Sequence, residues 1–376
     1  MNIGILAYRQ DPYISANTAI AYAVGEEMNK IHHVVFIGRK QDLEQKDGNI
    51  YHGISIRWLN STPKGDWTRK KNILLRAGFI NAAFYSDAQS LRLIAQEEKL
   101  DALICVIAPN DDALIAYSAH LSIPVLLYQL DPYYNINDKE TRWIKRQFLR
   151  VLPIFKHIFT TDLLLKVYQQ DEKYQKIIKN FSVLPFPKLI QPKEDTITDS
   201  FPENITLLYT GSLYHIIRSP KLLLRLRILL PDRFEIRFCG SCDNDEEFEE
   251  LKKSGIVCLG YCKQEIVAEE IRMADLLINI GNNTKNQMGS KIIDYISTGK
   301  PILNIVQFDD CPTIPLLHDY KYSFHLSAVN GIKISNELIE FIDHSRGKRM
   351  FWQDIVQKYQ QYTPSYASEK ILEKLN

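Results

Sequence analysis

The sequence predicts an α/β protein made of two doubly wound, Rossmann-like domains. The chain has 376 residues, and a single hydrophobic core rarely serves more than about 250–300 residues. Short, continuous apolar runs alternate with segments of helical period along most of the chain. That alternation is typical of βαβ units, whose parallel strands are covered on both faces of a sheet.

The first domain is predicted to span residues 1–185. Its strands are the apolar runs at 2–8, 34–38, 54–59, 102–108, 124–130 and 157–161. Helix candidates separate most of these runs, so each run is expected to be a buried parallel strand. A linker is predicted at 186–204, because four prolines in the segment 183–204 exclude a helix or a central strand there.

The same alternation of apolar runs and helical segments resumes after the linker and predicts a second domain at 205–345. Its strands are expected at 205–211, 234–240, 256–260, 275–281 and 301–306, with helices at 219–230, 243–253, 263–273 and 289–298. The remaining segment, 346–376, is expected to form helices that pack back toward the first domain. Ligands of such sheets bind beyond the carboxyl ends of the strands, so we expect a central cleft faced by both domains.

Composition and charge argue against several classes of protein. The 46 basic residues balance 45 acidic residues, whereas nucleic-acid-binding domains usually carry a basic excess. No apolar run approaches the roughly 18 residues of a membrane span, and the amino terminus has neither a basic start nor a cleavage site of small residues. These features predict a cytoplasmic protein without a nucleic-acid partner.

Four of the six cysteines have the spacing of a zinc ribbon. Cys239 and Cys242 form a C-x2-C pair, and Cys258 and Cys262 form a C-x3-C pair. Cys239 ends one apolar strand and Cys258 lies within the next, where small buried thiols are common packing residues. We therefore predict no metal site.

The loop after the first strand of the second domain reads "YTGSLYHIIRSPKLLLRL". Gly211 and Ser212 offer backbone donors, and Arg218 and Lys221 lie beside a helix start that Ser219 can cap. Cations beside a helix amino terminus are typical of phosphate or diphosphate sites. A solvated basic helix start is the alternative interpretation.

A second loop, "GNNTKNQMGSK", leads into the next helix. Gly289 would let the backbone approach a ligand, Ser290 could cap the helix, and Lys291 adds a positive charge. Asp294, one turn later, would accept hydrogen bonds from sugar hydroxyls or would merely complement the helix dipole. Gly299 is predicted to end the helix in the left-handed conformation.

The second domain resembles the nucleotide-sugar-binding half of GT-B glycosyltransferases, in particular the retaining enzymes of glycosyltransferase family 4. The segments that carry the resemblance are "LLYTGSLY", "RSPKLLL", "RFCGS", "IVCLGYCKQEIVAEEIRMADLLINIGNN" and "GSKIIDYISTGKPIL". The resemblance implies that Arg218 and Lys221 hold the donor diphosphate. It also makes Gly240, in the third segment, a further donor-binding residue.

The family often carries two glutamates eight positions apart, of which the second binds the donor ribose. In this sequence those positions hold Asn286 and Asp294. Asp294 keeps the hydroxyl acceptor with a shorter reach, whereas Asn286 lacks the charge that would face the donor sugar. The resemblance implies a retaining transferase that uses a nucleotide-diphosphate sugar, UDP-linked rather than GDP-linked, without metal or another cofactor.

Acceptor contacts are expected from the first domain, at the ends of its strands. The candidates are Arg9, Asp11 and Asn17 after the first strand, Asp111 and Asp112 after the fourth, and Asp131 after the fifth. Asp131 is the preferred catalytic candidate, because "LYQLDPYYN" places a carboxylate and two tyrosines at the expected edge of the cleft. Each of these residues could instead be a helix cap or a turn residue.

The segment 141–155, "TRWIKRQFLRVLPIF", combines basic and apolar residues without an acid. This composition is typical of an interfacial helix that binds anionic lipid, and it is equally that of a core-facing helix with a basic outer face. With lipid contact, the acceptor would be a lipid-linked glycan for bacterial surface polysaccharide at the inner face of the cell membrane.

Two other functions fit the same fold. A non-catalytic GT-B-like binding or scaffold subunit is suggested by Asn286 and by the lack of the family's glycine pair after the first strand. A sugar-nucleotide epimerase would need a cluster of acid–base carboxylates and histidines, which the sequence does not indicate.

Overall fold

The computed structural model describes residues 1–7, 16–39, 50–59, 66–107, 111–132, 142–192 and 204–375. The chain divides into two compact units. The first unit contains residues 1–188 together with 361–376, and the second unit contains residues 189–360. Residues 189–192, within the proline-rich segment, belong to no helix or strand.

The first unit is built on an eight-stranded sheet of order β3-β4-β2-β1-β5-β6-β7-β8. All neighbouring pairs are parallel except β3 with β4. The strands are β1 Asn2–Leu6, β2 His33–Arg39, β3 Ile50–Tyr51, β4 Ile54–Leu59, β5 Ala102–Ile107, β6 Val125–Gln129, β7 His157–Thr160 and β8 Phe181–Val183. The helices are α1 Ala16–Asn29, α2 Asp66–Arg76, α3 Ile80–Ala83, α4 Tyr85–Glu97, α5 Asp112–Ala119, α6 Arg142–Val151, α7 Asp162–Gln169 and α15 Pro364–Leu375.

The second unit is built on a six-stranded parallel sheet of order β11-β10-β9-β12-β13-β14. The strands are β9 Ile205–Thr210, β10 Phe234–Cys239, β11 Val257–Gly260, β12 Leu276–Ile280, β13 Ile302–Val306 and β14 Ser323–Ser327. The helices are α8 Pro220–Leu229, α9 Asp245–Lys253, α10 Gln264–Met273, α11 Lys291–Thr298, α12 Thr313–Leu316, α13 Asn336–Asp343 and α14 Trp352–Tyr359.

Burial explains why the central strands read as uninterrupted apolar runs. All five residues of β12 and all five of β13 are buried, so both faces of the sheet are covered. Helix α8 contributes Leu223 and Leu226 to the same core. The predicted α/β class with two Rossmann-like sheets is confirmed.

The strand order of the second unit contains a switch point. From β9 the chain proceeds outward to β10 and β11, and then returns to place β12 on the opposite side of β9. The loops that follow β9 and β12 therefore diverge to opposite sides and leave a crevice between them, which is where doubly wound sheets bind ligands. Both loops carry candidate residues.

Three strands were not predicted from the sequence: β3, β8 and β14. The first two have only two and three residues, too few for a periodic signal. Strand β14, "SFHLS", lies at the sheet edge with one buried residue among five. An edge strand needs no continuous apolar run, because one side and part of its faces meet water.

The carboxyl end of α11 agrees with the prediction, whereas its amino end does not. Gly299 ends the helix with a φ of 72°, so the predicted left-handed stop is confirmed. The helix begins at Lys291 rather than at 289. The Ser290 side chain accepts no hydrogen bond from the described amides of the first turn, so the expectation that it caps the helix is wrong.

The segment after 345 contains α14 and α15, which belong to different units. Helix α14 packs beside α11 in the second unit, whereas α15 packs beside α1 in the first unit. Lys156 of the first unit donates to the Leu375 carbonyl at 3.1 Å. Within the described part of the chain, no helix combines the length and the apolarity needed to cross a membrane.

Candidate functional site

Two glycines bring the ends of β9 and β10 together in the second unit. Gly211 donates its amide to the Cys239 carbonyl at 3.0 Å, and Gly240 donates to the Gly260 carbonyl at 2.8 Å. A Cβ atom on Gly240 would lie 1.9 Å from the Gly211 carbonyl oxygen. Gly211 itself has a φ of 122°, a conformation that favours glycine. Both candidate residues are therefore needed for close backbone approach.

A short turn after β9 carries Arg218. The Arg218 amide donates to the Tyr214 carbonyl at 2.8 Å, and the Tyr214 amide donates back to the Arg218 carbonyl at 3.2 Å. The two reciprocal bonds close the five-residue turn. Ser219 then caps α8 by accepting from the Lys221 amide at 3.4 Å, as the sequence predicted.

The loop after β12 is bonded to this turn. The Asn283 amide donates to the Ile217 carbonyl at 2.8 Å. The Gln307 side chain, which follows β13, donates to the carbonyls of both Ile217 and Gly281, at 2.9 and 2.6 Å. The turn that carries Arg218 and the loop that carries Gly289 are thus held together at the switch point.

Arg218 and Gly289 meet there. A Cβ atom on Gly289 would lie 4.0 Å from Arg218 Nη1 and 3.9 Å from Asn282 Oδ1. Arg218 is half-buried, and its buried Nε donates to no residue that the structure describes. Buried donors are rarely left without an acceptor, so this guanidinium retains capacity for an anionic ligand.

Tyr209, at the end of β9, shows the electrostatic effect of Arg218. Burial raises the pKa of the Tyr209 hydroxyl, and the nearby positive charge of Arg218 opposes that shift. The Tyr209 hydroxyl donates to the Ser212 carbonyl at 3.2 Å, and the guanidinium carbon lies 5.8 Å from the Tyr214 ring centre. Two aromatic side chains thus border the cation on the side of β9.

Tyr295 attaches α11 to the end of β9. Its hydroxyl accepts from the Thr210 amide at 2.9 Å and lies 3.2 Å from the Thr210 carbonyl and 3.0 Å from the Thr210 hydroxyl. Burial raises the pKa of Tyr295, so the hydroxyl stays protonated. This anchor sets the position of the neighbouring Asp294, whose carboxylate lies 3.8 Å from the Lys291 amine.

The remaining donor-site candidates lie in the same loops. Ser212 shares a hydrogen bond of 2.8 Å with Ser241, which joins the loops after β9 and β10. Asn286 is half-buried in the loop between β12 and α11. Lys221 is 65% exposed, and its amine lies 3.9 Å from the Glu247 carboxylate, so it reaches toward α9.

Three residues at the switch point were missed by the sequence analysis: Asn282, Tyr295 and Gln307. Asn282 is buried, its amide nitrogen donates to the Gln287 carbonyl at 3.1 Å, and its Oδ1 accepts nothing from the described parts of the chain. A polar residue one or two positions after a buried strand is the available signal for Gln307 and Asn282. Tyr295 gave none, because a tyrosine on an apolar helix face usually packs in a core.

The first-unit candidates are described only in part. Arg9 and Asp11 lie outside the described residues, and Asn17 lies in α1 with its side chain outside them. Asp111 precedes α5, does not cap it, and forms an ion pair with Lys71. Asp112 is buried, and its charge adds to burial in raising the pKa of Cys105. This places Asp112 in the interior of the first unit.

Asp131 follows β6 and is half-buried. Its backbone carbonyl accepts from the Gln129 side chain at 3.1 Å, and Gln129 also donates to the Tyr168 hydroxyl at 2.6 Å. The chain is therefore fixed at the strand end where Asp131 lies, which would suit a catalytic carboxylate as well as a turn residue.

The four cysteines of the ribbon-like spacing do not converge. No three of their thiols lie together within the range of one metal ion in the described segments. Burial raises the pKa of Cys239 to about 12 and that of Cys258 to about 11, so both thiols stay protonated. The arrangement agrees with packing residues.

Helix α6 buries its apolar face in the first unit. Phe148, Val151 and the following Leu152 belong to the core. On the opposite side, Arg146 donates to the Arg76 carbonyl at 3.3 Å and Arg150 to the Gly78 carbonyl at 2.8 Å. These contacts favour the core-facing interpretation of the segment 141–155 over an interfacial helix.

The comparisons with known proteins agree on the fold. No family model matches the sequence, and no curated protein matches it either. HepE from Anabaena, solved with UDP-glucose, is similar in structure, with a TM-score of 0.67, 13% identity and coverage of 100% of this chain and 99% of that chain. A sucrose-phosphate synthase from Thermosynechococcus elongatus is similar with a TM-score of 0.66, 12% identity and coverage of 99% of this chain and 97% of that chain.

A third solved structure, the lipopolysaccharide outer core galactosyltransferase WaaB, is similar with a TM-score of 0.57, 12% identity and coverage of 100% of this chain and 99% of that chain. The similarities extend over both units. The GT-B fold predicted from the sequence is confirmed.

Proposed function

We propose that the protein is a glycosyltransferase that uses a nucleotide-diphosphate sugar as donor. The observation that carries the proposal is the convergence of Arg218, Gly289 and Asn282 at the switch point of the second unit. A guanidinium with spare donor capacity beside a glycine at a helix start matches the chemistry of a diphosphate. HepE, which shares the fold, was solved with UDP-glucose, and this supports a UDP-linked donor.

The proposed chemistry depends on stabilising the departing nucleotide diphosphate. Negative charge grows on the leaving oxygen as the glycosidic bond breaks, and positioned donors lower the energy of that state. Arg218 and the amides of residues 289–291 would act on the diphosphate. Lys221 would join them by rotating away from Glu247, since its exposed side chain is held only at 3.9 Å.

We propose that Asp294 accepts hydrogen bonds from the donor ribose, with Tyr295 fixing its position. Asn286 would face the donor sugar as a neutral group. Asp131 would be the catalytic carboxylate of the first unit, with Arg9, Asp11 and Asn17 on the acceptor side. Transfer would retain the anomeric configuration and require no metal at the diphosphate.

The description of one structural neighbour supports the proposed acceptor class. WaaB is described as a lipopolysaccharide outer core galactosyltransferase, and this supports a glycan or lipid-linked glycan of the bacterial surface. The protein would work in the cytoplasm, at the inner membrane face when the acceptor is lipid-linked. Any lipid contact of α6 would rest on exposed residues such as Arg146 and Arg150, because Phe148 and Leu152 are buried.

The donor site is tested by calorimetric titration of UDP, UDP-glucose and GDP-glucose. UDP-glucose should bind, and Arg218→Ala should weaken binding by about 10–150-fold, the equivalent of one charge-assisted hydrogen bond of roughly 1.5–3 kcal/mol. Arg225→Ala is the matched control, because Arg225 is an exposed cation on α8 of the same unit. Equal weakening by both variants would show non-specific charge attraction and reject the assigned site.

A non-catalytic binding subunit is the second candidate, and Asn286 is the observation that favours it. Hydrolysis and transfer assays with UDP-sugars and lipid-linked acceptors distinguish the two functions. A transferase releases UDP, with the same rate whether Mg²⁺ and Mn²⁺ are present or omitted, whereas a binding subunit retains the intact donor. Conversion of one UDP-sugar into another without an acceptor would instead identify an epimerase.

A further inference from the structure

A second cluster of polar side chains lies beside the proposed donor site and has no part in it. Cys242 and Asp243 belong to the loop after β10, and Glu247 lies in the first turn of α9. One ligand atom from each residue lies within 4.8 Å of the other two. We call these three residues the Cys242 cluster.

Glu247 contributes a buried oxygen without a hydrogen-bond partner to the cluster. The residue is 8% exposed, and its Oε1 lies 2.9 Å from His215 Nδ1. Its Oε2 is buried and accepts no hydrogen bond from any part of the chain that the structure describes. A buried carboxylate oxygen without a partner is costly, so Oε2 is the atom that a bound ligand would satisfy.

The chemistry of the cluster points to a cation. Asp243 accepts the His215 amide on both carboxylate oxygens, at 3.0 and 3.1 Å, and its side chain is exposed. The Lys221 amine, at 3.9 Å from Glu247, is 65% exposed and leaves Oε2 unsatisfied.

We propose that the Cys242 cluster binds a zinc-class divalent cation through Cys242 Sγ and one carboxylate oxygen each from Asp243 and Glu247. One thiolate and two carboxylates suit Zn²⁺ or Co²⁺ better than Mg²⁺ or Ca²⁺, which prefer oxygen ligands alone. Ligand atoms around tetrahedral zinc lie about 3.5 Å apart, so three atoms within 4.8 Å of one another would have to approach by about 1.3 Å at most. Water would occupy the fourth position.

Binding would convert the Cys242 thiol into a thiolate and release one proton to solvent. His215 would act as a positioning residue, because its hydrogen bond occupies Oε1 and leaves Oε2 available to the cation. Such outer contacts typically change metal affinity by about 10–100-fold. His215→Ala should therefore weaken binding without abolishing it.

The site would also support the donor-binding turn. His215 lies in the turn that carries Arg218, and Asp243 holds the amide of His215. A cation that fixes Asp243 and Glu247 would fix this turn and release Lys221 from Glu247. The metal would therefore be structural, apart from the reacting sugar, and the proposal does not depend on the donor assignment.

The test is a titration of the metal-free full chain with Co²⁺, without nucleotide. We expect one equivalent to bind with a thiolate-to-cobalt charge-transfer band in the near ultraviolet, and Zn²⁺ should displace it. Cys242→Ser should lose the band, and His215→Ala should keep the band with about 10–100-fold weaker binding. Cys262→Ser is the matched control and should keep both the band and the affinity, because Cys262 lies outside the cluster.

A missing band in the wild-type chain, or a band that survives Cys242→Ser, would overturn the proposal. Glu247→Gln guards against a folding defect in the serine variant, since it keeps the shape of the side chain and should weaken Co²⁺ binding with an unchanged circular dichroism spectrum. Unchanged Co²⁺ affinity in Glu247→Gln would also refute the site. UDP-glucose binding is measured separately, so failure of the donor assignment would leave these outcomes distinct.

Discussion

Substituting Gly289 by alanine separates ligand binding from folding at the proposed donor site. The added Cβ would meet Asn282 Oδ1 at 3.9 Å and Arg218 Nη1 at 4.0 Å, which are ordinary contact distances. The backbone of Gly289 needs no positive φ. The free energy of unfolding should therefore change by less than about 0.5 kcal/mol, as for substitutions that create no clash or cavity.

The same methyl group should obstruct a diphosphate. It would lie between the Arg218 guanidinium and the first amides of α11, where a phosphate oxygen would have to approach. Loss of one hydrogen bond to a charged group corresponds to about 1.5–3 kcal/mol. At about 1.4 kcal/mol for each factor of ten, the dissociation constant for UDP-glucose should rise by about 10–150-fold.

Calorimetric titration measures this affinity, and urea denaturation measures stability. Gly240→Ala is the contrasting variant, because its Cβ would lie 1.9 Å from the Gly211 carbonyl oxygen. That overlap forces a backbone shift and should cost about 1–3 kcal/mol of stability or more. If Gly289→Ala binds UDP-glucose as tightly as the wild type, or loses stability as Gly240→Ala does, the assignment of Gly289 is refuted.

Three further predictions concern stability. Tyr295→Phe should lower the free energy of unfolding by about 1–3 kcal/mol, because the Thr210 amide would lose its buried acceptor. Gly299→Ala should cost about 2–4 kcal/mol, because its φ is 72° and the Cβ would lie 2.4 Å from the Met350 carbonyl. Burial, aided by the charge of Lys374, lowers the pKa of His157 from 6.5 to about 4. The unfolded chain binds this proton more readily, so stability should fall by up to about 3 kcal/mol from pH 6.5 to 4.

Each of these has a control in the same chain. Tyr85→Phe removes an exposed hydroxyl and should be neutral; an equally small effect of Tyr295→Phe would refute the anchor. Gly331→Ala has a φ of 82° with open space around its Cβ, so it should cost only the left-handed strain of about 1–2 kcal/mol. His157→Gln should remove that part of the acid sensitivity, and an unchanged pH profile would assign it to other groups.

The sequence was sufficient for the fold class because buried parallel strands leave an unmistakable pattern. Runs such as those of β12 and β13 are apolar at every position, since both faces of the sheet are covered. The left-handed end of α11 was predictable for a similar reason, because Gly299 is followed by lysine and proline. In both cases the constraint is local, so the residue types themselves express it.

The short strands and the edge strand were not predicted, because pairing with neighbouring strands, rather than amino-acid composition, makes these segments strands. Strand β14 carries serine and histidine and is a strand because β13 offers it hydrogen bonds. The capping role expected for Ser290 failed for a related reason. The backbone of Ser290 is already near-helical, with φ of −68° and ψ of −16°, whereas a capping side chain needs an extended backbone to reach the first amides.

The same distinction between local and long-range information applies to the candidate site. Residue types alone indicate which residues could bind an anion, because Arg218 is a cation near a helix start and Gly289 is a glycine that admits close approach of a ligand. The folded chain is needed to show that these two residues meet, that Asn282 joins them, and that the Lys221 amine lies near Glu247. Strand order sets these distances, and it depends on pairings between segments far apart in the chain, which no local pattern encodes.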